Sequence, residues 1–391
     1  MDAKARSYLD HNATAPLRPE VAEAVVCASR LPGNPSSVHA EGRAARAQVE
    51  DARVRVARLV GAEPENVIFT SGGTEAANGA LSPSLRRRGD RDAPSRLLVG
   101  AGEHPCVLEG HRFTPEAVER IPLNGDGVVH LGWLETRLSQ AAGERVLVSV
   151  QTANNETGVI QPVAGAARLV HEHGGLIHTD AVQAAGKIPL EMKALGADLL
   201  TLSAHKLGGP KGIGALVLAS DEIELGDRFI RGGGQERGRR AGTENVAGIA
   251  GFGVAADIAH RELERESERV RRLRAACEAA LRRIEPGAVI FGAAVDRLSN
   301  TLAFAIPGVR AETALIAFDL EGVALSSGSA CSSGKVKRSH VLEAMDVPAP
   351  LAEGAMRVSL GWNSTEADVK MFAAACEKLV ATLYKRRAAA A

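Results

Sequence analysis

Ser203-Ala204-His205-Lys206-Leu207-Gly208-Gly209-Pro210 sets a lysine between hydrogen-bonding neighbours and a glycine-rich turn, directly after the apolar run 199–202. An amine kept unprotonated by its surroundings forms imines with carbonyl compounds, whereas a solvated loop lysine does no chemistry. Asp180 closes another apolar run, 176–179. A carboxylate at the end of a buried strand stays ionised only against a protonated partner, and a pyridinium nitrogen is one; capping a helix is the alternative use. Gln183 follows about one helical turn later, within reach of a ring substituent. Ser71-Gly72-Gly73-Thr74 stands between an apolar run and a helix-like stretch. Its amides and the Thr74 hydroxyl suit a phosphate there, or make a plain capped turn. A Schiff base to pyridoxal phosphate is the commonest reason to bury such a lysine, and a carboxylate for a pyridinium and a phosphate turn are groups that such a cofactor would use.

Four further residue types complete a reaction centre. His104, in Glu103-His104-Pro105, follows a strand end, where an imidazole can stack on a planar ring or move protons. Arg357 lies on an apparent strand and offers a two-pronged guanidinium to a carboxylate, and Asn34, in Gly33-Asn34-Pro35-Ser36-Ser37, could add a second contact. Cys331 sits in Ser326-Ser327-Gly328-Ser329-Ala330-Cys331-Ser332-Ser333-Gly334, a run of small residues expected to form an exposed, mobile loop. A thiol there, with a reference pKa of about 8.5, is a nucleophile once deprotonated. Cys27, Cys106, Cys277 and Cys376 sit in ordinary helical or strand contexts and read as small buried hydrophobes.

The elements that must hold these groups follow from periodicity. Between about 43 and 220, helical stretches alternate with apolar runs at 67–70, 97–100, 146–150, 176–179 and 199–202, several ending in the polar clusters just described. That rhythm predicts an α/β domain with a mostly parallel sheet, whose ligands bind beyond the carboxyl ends of the strands. A helical stripe over 258–284 leads into strand-like pieces at 300–306 and 356–360 and a helix near 366–383, an α+β second domain. The 391 residues support two domains, and Lys+Arg and Asp+Glu, 47 each, imply no polyanion partner. Arg86-Arg87-Arg88 reads as a solvated helix end. No apolar stretch approaches transmembrane length, and five scattered cysteines suit a reducing cytoplasm better than a disulfide framework or a metal site.

Taken together these segments resemble the pyridoxal-phosphate cysteine desulfurases of bacterial iron-sulfur assembly and nitrogen fixation, in the class V aminotransferase family. The match runs over nearly the whole chain: Tyr8-Leu9-Asp10, Gly33 to Ser37, Thr70 to Glu75, Glu103-His104, Asn154-Asn155-Glu156-Thr157-Gly158, Asp180 to Gln183, Ser203 to Lys206, Arg240-Ala241-Gly242-Thr243-Glu244-Asn245 and Ser326 to Ser332. The resemblance implies the fold type I, aspartate aminotransferase-like architecture, with residues 16–257 as the large cofactor-binding domain and 1–15 with 258–391 as the small one. It implies that Lys206 anchors pyridoxal 5'-phosphate covalently, Asp180 pairs with the ring nitrogen, and His104 stacks on the ring and assists proton transfer. Gln183 and Asn155 would hold the ring oxygen and substrate side. Gly73, Thr74, Ser203 and His205 would hold the phosphate, with Thr243 reaching in from the other subunit of a homodimer. Arg357 and Asn34 would take the carboxylate of L-cysteine, and Cys331 would accept its sulfur as a persulfide for an acceptor such as an iron-sulfur scaffold, releasing alanine. Selenocysteine lyase or a related transaminase is the neighbouring alternative; a cofactor-free regulatory protein is the alternative of another class, and the intact set of Lys206, Asp180 and Cys331 argues against it.

Overall fold

The computed structural model describes residues 6–90, 92–141, 143–328 and 338–390, with side chains through 382. The apolar runs become strands buried along their whole length, as expected of a sheet covered on both faces. Seven strands stand in the order Val67–Thr70, Gly214–Leu218, Leu199–Ser203, Leu176–Asp180, Val146–Ser149, Arg96–Gly100 and Val118–Ile121. All are mutually parallel except Gly214–Leu218, which runs antiparallel to both neighbours. Six carboxyl ends therefore share one edge, where Gly214 pairs with both Thr70 and Ser203.

Alternate residues divide between the two faces. Ile68, Leu97, Leu147 and Leu199 pack on one side with the helix Gly73–Ala80. On the other, Phe69, Leu200 and Val217 meet the helix Ala40–Leu59 and the long helix Val246–Ile284, while Leu98 and Val148 meet Leu131–Gln140 and Val163–Glu172. A second, four-stranded antiparallel sheet carries Val289–Ile290, Thr301–Ala305, Met356–Ser359 and Ser326–Ser327 in that order. Its core joins Leu302, Phe304 and Val358 to Phe318 and to Phe372 of the helix Glu366–Ala390. Leu9 belongs to that core too, and Ser7–Tyr8 pairs in parallel with Val323–Ala324.

Two expectations need correction. The long helix begins at Val246 rather than 258, capped by Asn245, whose side chain accepts the Gly248 N–H at 3.0 Å. Its first turns are glycine- and alanine-rich and buried in the first core, so no polar face marks their period. Arg86, Arg87 and Arg88 are not a helix end: the helix Gly73–Ala80 stops early, and Arg86–Arg87 pairs with Ile223–Glu224. Ion pairs tie these arginines to Glu224, Asp198 and Asp221. Among the described residues no helix is long and apolar enough to cross a membrane.

Candidate active site

A cavity of about 280 Å³ opens at the carboxyl edge of the large sheet and gathers most of the singled-out residues. Gly73 and Thr74 enter it from the first turn of Gly73–Ala80, Asp180 from a strand end, and Ser203, His205 and Lys206 from the turn after the next strand. Gln183, His104 and Asn155 line it from the loops between, and Arg357 reaches it from the second sheet.

The turn that feeds Gly73 depends on a close approach. A Cβ on Gly214 would lie 2.6 Å from the Gly72 carbonyl carbon, so only glycine lets the turn lie across the reversed strand. The amides opening the following helix have no intrahelical acceptor and, with the Thr74 and Ser203 hydroxyls, form an anion cradle. Three cations face the same volume or its wall: Lys206, Arg357 and Lys187. Lys206 Nζ donates to the carbonyls of Asn12 and Ala13 at 2.5 and 2.7 Å. Arg357 is buried, donating to Asp10 Oδ1 at 2.7 Å and to the Asn155 carbonyl at 2.9 Å, and among the described residues its buried Nε has no hydrogen-bond partner. That nitrogen is a donor held ready beside the cavity.

Asp180 is 7% exposed, and among the described residues its carboxylate accepts only the Val182 N–H, at 2.9 Å. Burial pushes its pKa up to about 6, against the opposing pull of the Val182 N–H and then of the Lys206 charge. His104 is pushed down to about 4, chiefly by burial and then by Lys206 and His340. Its Nδ1 accepts the Cys106 N–H at 3.2 Å, so in the neutral ring the proton sits on Nε2. His205 also falls to about 4 through burial and nearby lysines, and its Nδ1 lies 3.2 Å from the Thr14 hydroxyl.

This donor set fits pyridoxal phosphate. The cradle suits its phosphate, the buried Asp180 has room for a cationic ring nitrogen, and Lys206 is the amine beside both.

Two of the sequence candidates lie elsewhere in the same chain. Asn34 turns on itself, its Oδ1 accepting the Ser36 N–H at 2.9 Å, and its neighbours Pro35 and Ser36 line a separate hollow with Arg53 and Glu236. Thr243 lines another hollow of about 240 Å³ with Ser71 and Arg240. Cys331 falls outside the described residues. Among the described residues flanking it, Gly328 and Ser339 both meet Glu156: the Ser339 hydroxyl donates to Glu156 Oε2 at 2.5 Å, and a Cβ on Gly328 would lie 2.5 Å from that oxygen.

Other residues of the cavity escaped the sequence reading. Asn12 carries no chemical signature, yet its carbonyl accepts both Lys206 Nζ and Gln183 Nε2, and its amide nitrogen donates to Asn155 O and Thr301 Oγ1. Cys106, read as a core hydrophobe, lines the cavity, and Cys27 is exposed. Cys277 and Cys376 are buried as expected; burial pushes the Cys277 thiol up to about 12. Lys187 could have been noticed only from its spacing of four to Gln183.

Comparison with known proteins places the chain in a family. The Aminotransferase class-V family matches residues 7–372. Cysteine desulfurase IscS of Dictyoglomus turgidum is 39% identical, over 97% of this chain and 96% of its own. The IscS-like cysteine desulfurase of Mycobacterium tuberculosis is 40% identical over 98% of each chain. Among solved structures, a NifS-like protein from Rickettsia africae superimposes with a TM-score of 0.86 at 34% identity, covering 96% of this chain and 99% of its own. With a match across both sheets and the cavity between them, the chain belongs to the class V aminotransferases, a family that works with pyridoxal phosphate.

Proposed function

We propose that the protein is a pyridoxal-phosphate-dependent cysteine desulfurase, converting L-cysteine to L-alanine and holding the sulfur on Cys331 as a persulfide. The observation that carries this reading is the meeting of Lys206, Asp180 and the Gly73–Thr74 turn in one cavity with Arg357 at its rim. When bound, the cofactor supplies an electron sink that makes bonds at the substrate α- and β-carbons labile.

The chain's own residues do the rest. Lys206 anchors the cofactor and, once released by the incoming amino acid, carries protons to and from the substrate carbon. Asp180 keeps the ring nitrogen protonated; Gly73, Thr74, Ser203 and His205 hold the phosphate. His104, neutral with its proton on Nε2, packs at the ring and can donate there. Gln183 and Asn155 hold the ring oxygen and substrate side. Arg357 binds the substrate carboxylate, for which its Nε is available. The Cys331 thiolate attacks the substrate sulfur: an S–S bond forms, the C–S bond breaks, and its electron pair returns to the substrate carbon, which a proton converts to alanine.

Thr243 stands away from its own chain's cavity, which supports a homodimer in which it serves the other copy. We further read 16–257 as the cofactor-binding domain and 1–15 with 258–391 as the smaller one, the persulfide going to an acceptor such as a cytoplasmic iron-sulfur scaffold. The test is direct. The purified protein should show a visible cofactor band that borohydride fixes to Lys206, and should form alanine and sulfide from cysteine under reductant. Cys331→Ala should keep the band and lose sulfide release; undiminished sulfide from that variant sinks the persulfide assignment.

A further inference from the structure

Lys187 is the one cation of the site to which no step has been given. Its Nζ donates to Gln183 twice, to the backbone carbonyl at 2.9 Å and to Oε1 at 3.1 Å. In its protonated form the head only donates, so the amide atom that it touches is then the oxygen. The other end of the amide is fixed by the same logic: Gln183 Nε2 donates to the Asn12 carbonyl at 3.0 Å, and a carbonyl only accepts. Lys187 and Asn12 thus allow Gln183 a single orientation, with an N–H rather than an oxygen turned to the cavity that it lines. A second hydrogen on that nitrogen remains for a ligand oxygen.

The charge around Lys187 is one-sided. Burial, and then the charges of Lys206 and Arg357, push its pKa down to about 7, so an anionic oxygen beside the amide is what would keep the head protonated. His11 lies close enough for the Lys187 charge to act on it. Across a small cavity of about 70 Å³ stand the carboxylates of Glu262 and Glu266, but among the described residues neither pairs with Lys187. A cation so placed favours an anionic oxygen at the far end of the amide that it polarises.

We propose that Lys187 is a positioning residue that acts through Gln183, holding its amide as a donor and strengthening its hydrogen bond to the ring oxygen of the cofactor. This inference rests on the cofactor assignment above. Removing the cation should make the bound cofactor hold its proton more tightly, because a nearby positive charge favours the deprotonated form. In Lys187→Met holoenzyme the pH midpoint of the visible band should therefore rise by about one pH unit, and cofactor should be lost faster on dialysis. Gln183→Ala alone should raise the midpoint in the same direction. In a Gln183→Ala background, Lys187→Met should add less than half of its separate effect, since the two act in series. An unmoved midpoint in either single variant, or full additivity in the double, overturns the proposal; because Gln183→Ala leaves Lys187 in place, that arm stands even where Lys187→Met fails to fold. Wild-type protein with no visible band would instead sink the cofactor reading itself.

Discussion

At the scale of the residue, the site is built from groups whose surroundings hold them away from their ordinary charge. Asp180 is the clearest case: the unfolded chain ionises it from 3.8, whereas the folded chain does so from about 6. Its folded pKa is raised, so the stability that it contributes below pH 3.8 is lost as pH rises through 6. Holding it ionised in cofactor-free protein at pH 8 costs up to about 3 kcal/mol. A protonated ring nitrogen beside it would offset that cost. Asp180→Asn should therefore raise the thermal midpoint of the cofactor-free protein at pH 8, with the gap closing towards pH 4, while weakening cofactor retention at least about tenfold. Calorimetry across that pH range decides it; a variant that is less stable by the same amount at every pH would mean that Asp180 is only a structural hydrogen-bond acceptor for Val182.

At the scale of the element, strands were far more legible than helices. Runs such as 67–70 and 176–179 are buried at every position, because both faces of the sheet are covered, and the clusters that follow them lie at the edge where the cavity opens. This is why Lys206, Asp180 and Thr74 could be read from sequence. Asn12 and Lys187 could not, since their importance comes from which backbone and amide oxygens the fold brings to them. The start of the long helix was hidden for a packing reason. Gly253 lies where a Cβ would come within 2.6 Å of Ala52 Cα, so the glycines that weaken the helical signal are what let this helix cross Ala40–Leu59 closely. Gly253→Val should force the two helices apart at a cost of about 1–3 kcal/mol, lowering the thermal midpoint by a few degrees. The visible band should be unchanged, because this crossing does not line the cavity. An undiminished midpoint would show that the crossing has slack.

At the scale of the whole molecule, the cavity is a joint between two sheets, and the chain closes it with segment 10–14. Arg357 of the second sheet bonds Asp10 and the Asn155 carbonyl, while Asn12 ties Thr301 of that sheet to Asn155, Gln183 and Lys206 of the first. The long helix spans both sides, giving residues such as Phe252 to one core and Leu273 to the other. Thr243 of the same chain faces a different hollow. If a second copy supplies it, complementation between two defective chains follows. Neither a Lys206→Ala homodimer nor a Thr243→Ala homodimer has an intact site. A mixed dimer has one, combining Lys206 of the Thr243→Ala chain with Thr243 of the Lys206→Ala chain. Random pairing makes half of the dimers mixed, so co-expressed variants should recover about a quarter of wild-type sites, read as borohydride-fixed cofactor and as alanine formation. Were Thr243 instead to serve its own cavity, every mixed dimer would pair two broken sites, and the mixture would show no more than the average of its parents.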